Sequence, residues 1–402
     1  MAKSLANLKI VHLGKYYPPA PGGIESHVQT LANFQAKLGH KISVLCVNHQ
    51  DKNGRDVTHS RWKKTGNSLE RDSEVCLQRV GRWFGINRFE FCPSLPKKLA
   101  AVSADADIVH LHAPNPLMLA AWWLAGSRNV PLVVTHHSDV IKQRFLKFFV
   151  SPLEKKVYRR ACKILSDSPN YIEGSNVLQA FSEKVETLPL GIDLEPYTRP
   201  KECILKQAAA IKKECNSVLW LMVGRMTYYK GYHIAIEALS KVEGKLVIVG
   251  NGPLEPELKA QADRLGVKDR IIWLSSVSQE YLAALYASAT ALWFPSIARS
   301  EGFGLVQVEA MASGCPVINT AIPASGVSWV SRDGESGLTV TPGDPIEFAK
   351  KAKFLSESPR LIESLSEGAR KRAALLFDAV AMAHKSISIY QAALIKMCRS
   401  AR

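Results

Sequence analysis

Two glutamates, Glu301 and Glu309, flank a short glycine-bearing loop that follows an apolar, strand-like run. Gly302 and Gly304 have no Cβ atom, so the backbone there can approach a ligand closely. A helical pattern begins at about Leu305, and the start of a helix offers unpaired N–H groups and a partial positive charge that suit a phosphate. Carboxylates accept hydrogen bonds from hydroxyl groups instead. The stretch therefore suits a molecule with phosphate in its middle and hydroxyl groups at both ends, such as a nucleotide-diphosphate sugar. The alternative is that both glutamates are ordinary solvated acids.

Two basic residues follow a second apolar run, which predicts a buried strand over 217–224. Arg225 lies at the C-terminal end of that strand, and Lys230 lies near the start of the next helix. Arginine supplies a planar fork of donors and lysine a compact charge, so together they can hold both phosphates of a diphosphate. The alternative is that the two are surface charges without a ligand.

The segment from Glu301 to Glu309 resembles the Glu, seven residues, Glu signature of family four of the retaining glycosyltransferases, which have the GT-B fold. The resemblance implies that Glu301 contacts the donor sugar and Glu309 the ribose. It also implies that Arg225 and Lys230 neutralise the departing nucleoside diphosphate in place of a metal ion, so we expect no metal and no cofactor. The loop residues expected at the sugar and the phosphates are Gly302, Phe303, Gly304 and Leu305.

Near the N-terminus, a strand runs into a loop with Gly22 and Gly23 and then into a helix predicted over 26–38. This order is typical of a doubly wound α/β domain, whose ligand crevice lies at the C-terminal ends of the strands. The loop resembles the Gly-Gly loop of the same family, which approaches the donor diphosphate and sugar. A plain strand-to-helix turn is the alternative.

Four histidines, His110, His112, His136 and His137, lie near the ends of two neighbouring predicted strands. Strand alternation places His136 and His137 on opposite faces. Four imidazoles without an acidic or thiolate partner make a weak zinc site, so the sequence predicts no metal there. The stretch around His137 resembles the Thr-x-His segment of the family, whose histidine lies by the donor sugar. A packing histidine is the alternative.

The alternation of strands and helices predicts an α/β protein with two doubly wound Rossmann-like domains facing a central cleft. Residues 1–193 form the acceptor-side domain, 194–375 bind the nucleotide sugar, and a helix over 376–402 crosses back to the first domain. The polar segment 48–74 is expected to be a flexible excursion, and 194–215 a charged linker. An Asp-x-Asp pair at Asp105 and Asp107 lies at the entry of its strand, the wrong end for a crevice ligand.

The net charge of +16 indicates an anionic partner: nucleic acid, a membrane surface or a phosphorylated substrate. Eight scattered cysteines without a Cys-x-x-Cys motif and an N-terminus without an apolar signal segment favour a cytoplasmic protein. Basic and large apolar residues alternate over 139–160, which is typical of a helix on an anionic bilayer or of a core helix with a basic face. The resemblance favours peripheral contact with the inner face of the cell membrane.

The resemblance is to bacterial mannosyltransferases of surface polysaccharide and lipopolysaccharide synthesis, carried by Tyr228-Tyr229-Lys230-Gly231 and His137-Ser138-Asp139. It implies transfer from GDP-mannose or a UDP-hexose to a glycan or polyprenyl-linked acceptor. Two alternatives come from other classes. One is a relative that epimerises or phosphorolyses sugars, and a phosphorylase would carry pyridoxal phosphate. The other is a nucleic-acid-binding protein, but no basic-aromatic module supports nucleic acid as a partner.

Overall fold

The computed structural model describes residues 7–51, 53–58, 60–86, 89–139 and 144–400. The chain divides into two compact units. One consists of Met1–Gly191 with Ala379–Arg402, and the other of Ile192–Asp378.

The part of the first unit that ends at Gly191 consists of a β-sheet covered by α-helices. Its strands are β1 (Lys9–Leu13), β2 (Lys41–Val47), β3 (Ser68–Asp72), β4 (Val75–Val80), β5 (Phe84–Ile86), β6 (Phe89–Phe91), β7 (Ile108–Ala113), β8 (Leu132–His136), β9 (Lys163–Ser166) and β10 (Val185–Thr187). Its helices are α1 (Gly23–Lys37), α2 (Leu95–Ala104), α3 (Pro116–Ala125), α4 (Arg144–Arg160), α5 (Pro169–Gly174) and α6 (Asn176–Gln179).

Eight strands form one sheet in the order β10-β9-β8-β7-β1-β2-β4-β3, and all neighbours except β3 and β4 pair in parallel. The central strands β7 and β8 are buried on both faces, as parallel strands covered by helices are, although they carry histidines among their apolar residues. The chain leaves β1 toward β2 on one side and later returns to β7 on the other. The C-terminal ends of β1 and β7 therefore form the switch point where such sheets bind ligands.

Two features of this unit differ from the sequence expectation. The segment 48–74 is not only a loop, because β3 pairs antiparallel with β4 at the edge of the sheet. Its Ser-Leu-Glu-Arg-Asp sequence gives no apolar alternation, since an edge strand facing water needs little burial. The predicted basic helix over 139–160 is observed as α4 from Arg144, and its residues 140–143 lie outside the described residues.

The last helix, α16 (Ala379–Ser400), belongs to the first unit. Its apolar residues join the core that α1 forms on one face of the sheet, with Met382, Ile387 and Tyr390 buried. Gln35 of α1 donates hydrogen bonds to Ser386 Oγ and Tyr390 Oη at 2.8 and 3.2 Å. Two hydrogen bonds from Gln35 therefore join helices α1 and α16 inside an apolar layer.

The second unit contains six strands and nine helices within its described residues, all of which lie in 192–378. The strands are β11 (Leu219–Val223), β12 (Lys245–Val249), β13 (Ile271–Leu274), β14 (Ala291–Trp293), β15 (Val317–Thr320) and β16 (Gly337–Val340). The helices are α7 (Glu195–Thr198), α8 (Glu202–Cys215), α9 (Tyr232–Leu239), α10 (Glu255–Arg264), α11 (Gln279–Ser288), α12 (Leu305–Ala312), α13 (Val327–Val330), α14 (Pro345–Ser356) and α15 (Pro359–Leu376).

The second sheet is parallel throughout, in the order β13-β12-β11-β14-β15-β16. Its switch point lies between β11 and β14, so the loops after these two strands meet at one edge. The expectation of a linker over 194–215 is wrong, because α8 buries Ile204 and Ala208 against Ala283 and Ala284 of α11. Across the described residues of both units, no helix has the length and apolar character required to cross a bilayer.

Candidate active site

A tight turn at the switch point of the second unit positions Lys230. Residues Tyr228–Lys230 form a single 3₁₀ turn after β11, and Gly231 caps α9 with φ of 69°. A Cβ at Gly231 would overlap the carbonyl of Pro295, and Ile297 N donates to Tyr229 O at 2.8 Å. Glycine at this position therefore lets the turn after β11 pack directly against the loop after β14.

That packing brings Lys230 and Glu301 into contact. Lys230 Nζ lies 2.5 Å from Glu301 Oε2, and only 15% and 10% of the two side chains are exposed. The ammonium also lies 5.0 Å from the ring centroid of Phe294, within cation–π range. Lys230 and Glu301 therefore form a nearly buried ion pair. The sequence predicts that the lysine binds the diphosphate and that the glutamate binds the donor sugar.

The loop after Glu301 presents backbone donors. Gly304 caps α12 with φ of 83°, and a Cβ there would lie 2.5 Å from Phe294 Cζ. Within the described residues, the amides of Phe303, Gly304 and Leu305 donate no hydrogen bond, and Gln307 N is the next to find a partner, at Gly304 O. Unpaired amides at a helix start attract an anion.

Phe303 contributes only backbone to this site. Its side chain is buried and packs edge-on against Phe377, with ring centroids 5.6 Å apart. The ring therefore anchors the loop to the core of the second unit. The turn at Ser325 and Gly326 also supports the loop, because Ser325 Oγ donates to Glu301 O at 2.6 Å and Gly326 N donates to Gly302 O at 2.9 Å.

Glu309 lies one turn inside α12 and is half-buried. Tyr286 Oη donates to its Oε2 atom at 2.8 Å. Burial raises the pKa of Glu309 to about 7, and the hydrogen bond from Tyr286 opposes that rise. Tyr286 was not anticipated from the sequence, since a tyrosine on an apolar helix gives no signal beyond that of a core residue.

Arg225 lies after β11 as expected, but it does not join the ion pair. Its side chain is exposed, and its guanidinium makes no hydrogen bond or ion pair with any described residue. The preceding Gly224 accepts a hydrogen bond from Tyr232 Oη at 2.6 Å, which fixes the end of β11. The second unit therefore brings Lys230 and Glu301 together and leaves the guanidinium of Arg225 at the surface.

In the first unit, Gly22 and Gly23 begin α1 after the switch-point strand β1. Gly22 has extended backbone, and a Cβ on it would overlap the carboxylate of Glu25. Among the described residues, no atom lies within 4 Å of a Cβ built on Gly23. The carboxylate of Glu25 thus crowds Gly22, whereas Gly23 offers open space at the helix start.

His137 follows β8 and is 5% exposed. Its Nε2 atom lies 3.1 Å from His112 Nδ1, and its Nδ1 atom lies 3.3 Å from Asp167 Oδ1. Both ring nitrogens are therefore engaged inside the unit. His136 faces the opposite side of the sheet, where Tyr158 Oη lies 2.7 Å from its Nδ1 atom. The opposite orientation predicted for the two histidines is confirmed.

Three of the four histidines that the sequence grouped lie close together, and His136 lies on the opposite face of the sheet. His12, His27 and Asp167 join the three. The face of the sheet covered by α1 and α16 carries a buried set that we call the histidine layer: His12, His27, His110, His112 and His137. Burial lowers the pKa of His12 to about 4, and it lowers the pKa values of His27, His110 and His112 well below the ordinary value. His12 and His27 were missed because a lone histidine within the pattern of a strand or a helix gives no signal that it faces other histidines.

Two protein-family models match the chain. The model described as glycosyltransferase family 4 covers residues 21–196, and the model described as glycosyl transferases group 1 covers residues 205–372. The chain is 32% identical to the D-rhamnosyltransferase WbpZ of Pseudomonas aeruginosa, over 92% of this chain and 93% of that protein. It is 27% identical to the O-antigen chain mannosyltransferase C of Escherichia coli, over 95% and 98% of the two chains.

Among solved structures, sucrose-phosphate synthase from Thermosynechococcus elongatus is similar with a TM-score of 0.78. The two chains are 22% identical, and the match covers 96% of this chain and 98% of that one. At this identity the likeness concerns the fold alone. It extends over both Rossmann-like units.

Proposed function

Because the chain belongs to the glycosyltransferases of group 1 and family 4, we propose that it moves a mannosyl group from GDP-mannose to a glycan or polyprenyl-linked acceptor in surface-polysaccharide synthesis. The enzyme class and the GT-B fold, with two Rossmann-like units, are those predicted from the sequence. The proposal adds the donor, the acceptor class, retention at the anomeric carbon and independence of a metal ion.

One observation carries this proposal: the Lys230–Glu301 ion pair lies beside the unpaired amides at the start of α12. When the bond from the anomeric carbon to the diphosphate breaks, negative charge develops on the phosphate oxygens. A lysine ammonium and backbone amides held in place before the reaction stabilise that charge without reorganising, often the largest catalytic contribution. Glu301, which is paired with the ammonium of Lys230, accepts hydrogen bonds from the hydroxyl groups of the donor sugar and so positions the sugar ring.

Arg225 and Glu309 complete the proposed donor site. The exposed guanidinium of Arg225 follows the switch-point strand β11 and has no hydrogen bond or ion pair within the described residues, so it is available to the diphosphate. Glu309, oriented by Tyr286, accepts hydrogen bonds from the ribose. We assign no side chain as a covalent nucleophile. The acceptor oxygen forms the new bond to the anomeric carbon, and the acceptor proton leaves with the diphosphate.

Two related sugars are candidates for the donor. The relatives named above are a mannosyltransferase and a D-rhamnosyltransferase. D-rhamnose is 6-deoxy-D-mannose, so both sugars share the same ring configuration and differ in one hydroxyl group. GDP-mannose is our first candidate and GDP-D-rhamnose the second, which the likeness to WbpZ favours.

A panel of nucleotide sugars tests the proposal. The purified chain is incubated with GDP-mannose, GDP-D-rhamnose, UDP-glucose, UDP-galactose or UDP-N-acetylglucosamine, and release of the nucleotide and transfer to mannose-terminated oligosaccharides are measured. We expect the fastest release with GDP-mannose and an α-linked product by NMR. Preference for a UDP-sugar would refute the donor assignment, and a β-linked product would refute retention.

We further propose that the first unit contacts an anionic membrane surface. A cavity of about 380 Å³ is lined by Trp123, Arg128, Lys156, Arg159 and Arg160. Trp123 is 40% exposed and lies beside Leu124, which is 76% exposed. An aromatic and an aliphatic side chain surrounded by cations suit the boundary between lipid headgroups and acyl chains. The overall charge of +16 favours the same partner.

A further inference from the structure

The proton positions in the histidine layer can be read from its α16 end. Ser386 Oγ donates to Ala383 O at 2.7 Å, so it accepts from the amide nitrogen of Gln35. The amide oxygen of Gln35 then faces His12 Nε2 at 2.8 Å, and that nitrogen must carry a proton. His12 Nδ1 is therefore an acceptor, and it accepts from His112 Nε2 at 3.1 Å. It follows that His112 Nδ1 carries a lone pair and no proton.

The other end of the chain of hydrogen bonds gives the same result for His137. The carboxylate of Asp167 can only accept, so the proton of neutral His137 lies on Nδ1, which is 3.4 Å from Asp167 Oδ2. His137 Nε2 then carries a lone pair as well. It lies 3.1 Å from the lone pair on His112 Nδ1. Two lone pairs at that distance repel each other unless a cation binds both.

A third histidine points to the kind of cation. His27 is 1% exposed, and neither of its ring nitrogens has a hydrogen-bond partner in the described part of the chain. Its ring centroid lies 5.1 Å from that of His137 and 5.7 Å from that of His112. One nitrogen from each of the three rings lies within 4.8 Å of the others. A buried polar group without a partner requires an explanation, and a shared metal ion supplies one.

We propose that His27, His112 and His137 form a binding site for a divalent transition-metal ion such as Zn²⁺. Imidazole nitrogens are preferred ligands of zinc at about 2.0–2.1 Å, and two such ligands of a tetrahedral ion lie about 3.4 Å apart. The 3.1 Å between His112 Nδ1 and His137 Nε2 is close to that spacing. Three histidines leave the fourth position of the ion open to water or another ligand.

Two of the three proposed ligands, His112 and His137, have an outer-shell partner. Zinc-ligating histidines generally donate their second ring nitrogen to a carboxylate or another acceptor, which fixes their orientation. His137 Nδ1 donates to Asp167 Oδ2, and His112 Nε2 donates to His12 Nδ1. The second possible trio, His12, His110 and His112, lacks a vacant nitrogen on two of its members. His110 contacts Tyr390 Oη and Thr135 Oγ1, both at 2.6 Å, and His12 uses both of its nitrogens as described.

The residues of this site all belong to the first unit, those of the proposed donor site belong to the second, and the proposal does not depend on glycosyl transfer. The ion would tie α1 to β7 and β8 at the switch point of the first sheet. The site therefore predicts a metal-dependent stability of the protein, whichever sugar the enzyme transfers.

The untagged full-length chain, stripped with EDTA, is titrated with Zn²⁺ by isothermal calorimetry and with Co²⁺ while tetrahedral absorption bands are recorded. We expect one equivalent to bind and the melting temperature to rise. His27→Gln should weaken binding by more than the roughly 10–100-fold that loss of an outer-shell partner costs, and Asp167→Asn by about that amount. The matched control is His110→Gln, which removes a buried histidine of the same layer and should leave the affinity unchanged.

Circular dichroism of each metal-stripped variant checks that the variant folds. If His27→Gln does not fold, the zinc affinity of Asp167→Asn is compared with that of the unaltered chain instead. The proposal is overturned if the stripped chain binds no Zn²⁺, or if both variants bind it as tightly as the unaltered chain. It is also overturned if His110→Gln loses binding as His27→Gln does. Imidazole nitrogen NMR showing a doubly protonated His112 or His137 in the presence of Zn²⁺ would mean that a proton is the cation and no metal site exists.

Discussion

Removing either member of the Lys230–Glu301 ion pair should reduce stability and activity together. Unit charges 2.5 Å apart attract by about 7 kcal/mol at an effective dielectric constant of about 20. Desolvation of two nearly buried ions cancels much of this attraction. Removing one partner leaves the other buried and uncompensated, so Lys230→Met or Glu301→Gln should each cost about 3 kcal/mol of unfolding free energy.

The double variant separates stability from catalysis. Lys230→Met combined with Glu301→Gln leaves no uncompensated charge, so its loss of stability should be smaller than the sum of the two single losses by about 1–3 kcal/mol. Activity should not recover in the same way. Each single variant should lower turnover by at least about 100-fold, as expected for the loss of one transition-state electrostatic partner, and the double variant should be no faster.

Urea unfolding of the four proteins, followed by tryptophan fluorescence, measures the stabilities, and nucleotide release from the preferred donor measures the rates. A zero coupling energy would refute the contact between Lys230 and Glu301. Near-normal rates in both single variants would remove the assignment of these residues to the donor site, even if the coupling energy is as large as expected.

Three further predictions concern pH, metals and lipid. The folded-state pKa of Glu309 is raised to about 7, so this carboxyl makes the protein less stable as pH rises from about 4.5 to about 7. Glu309→Gln should flatten that part of the pH profile in urea unfolding, and an unchanged profile would contradict the raised pKa. EDTA should leave the transfer rate unchanged, whereas a loss that manganese restores would contradict metal-independent departure of the diphosphate. Liposomes with anionic lipid should co-sediment the protein at low salt and lose it at high salt. Lys156→Glu with Arg159→Glu should abolish co-sedimentation, while the control Lys212→Glu with Lys213→Glu, a matched charge reversal on α8, should not.

Much of the fold was predictable because buried parallel strands carry a strong local signal. The strand predicted over 217–224 contains β11 (Leu219–Val223), and the helix predicted over 26–38 is α1 (Gly23–Lys37), whose bounds differ by three residues or fewer. The local sequence did not predict an element where few of its residues are buried, or where charged residues outnumber the apolar residues of a narrow stripe. Strand β3 is an edge strand with little apolar content, and α8 buries only one narrow stripe between charged residues. In both cases pairing with a neighbour, rather than the local sequence, stabilises the element.

The candidate site shows the same division. The order of Glu301, the two loop glycines and Glu309 follows from one strand–loop–helix stretch, so the sequence could predict which backbone amides lie between the two acids. The sequence could not predict that Tyr286 would hold Glu309 or that Arg225 would remain apart from the ion pair. Tyr286 lies on a different helix from Glu309, and its role depends on how α11 packs on α12.

By itself, the sequence determined the strand–loop–helix units and the residues that each unit presents at its strand ends, because spacing within one unit is set by local backbone geometry. Only the tertiary structure decided which of these residues meet. Gln35 and Ser386 are 351 positions apart, and their hydrogen bond directs the protons of the histidine layer. Lys230 meets Glu301 because β11 and β14 are neighbours and Gly231 lets their loops touch. Such contacts depend on strand order and close packing, which no local pattern of residues encodes.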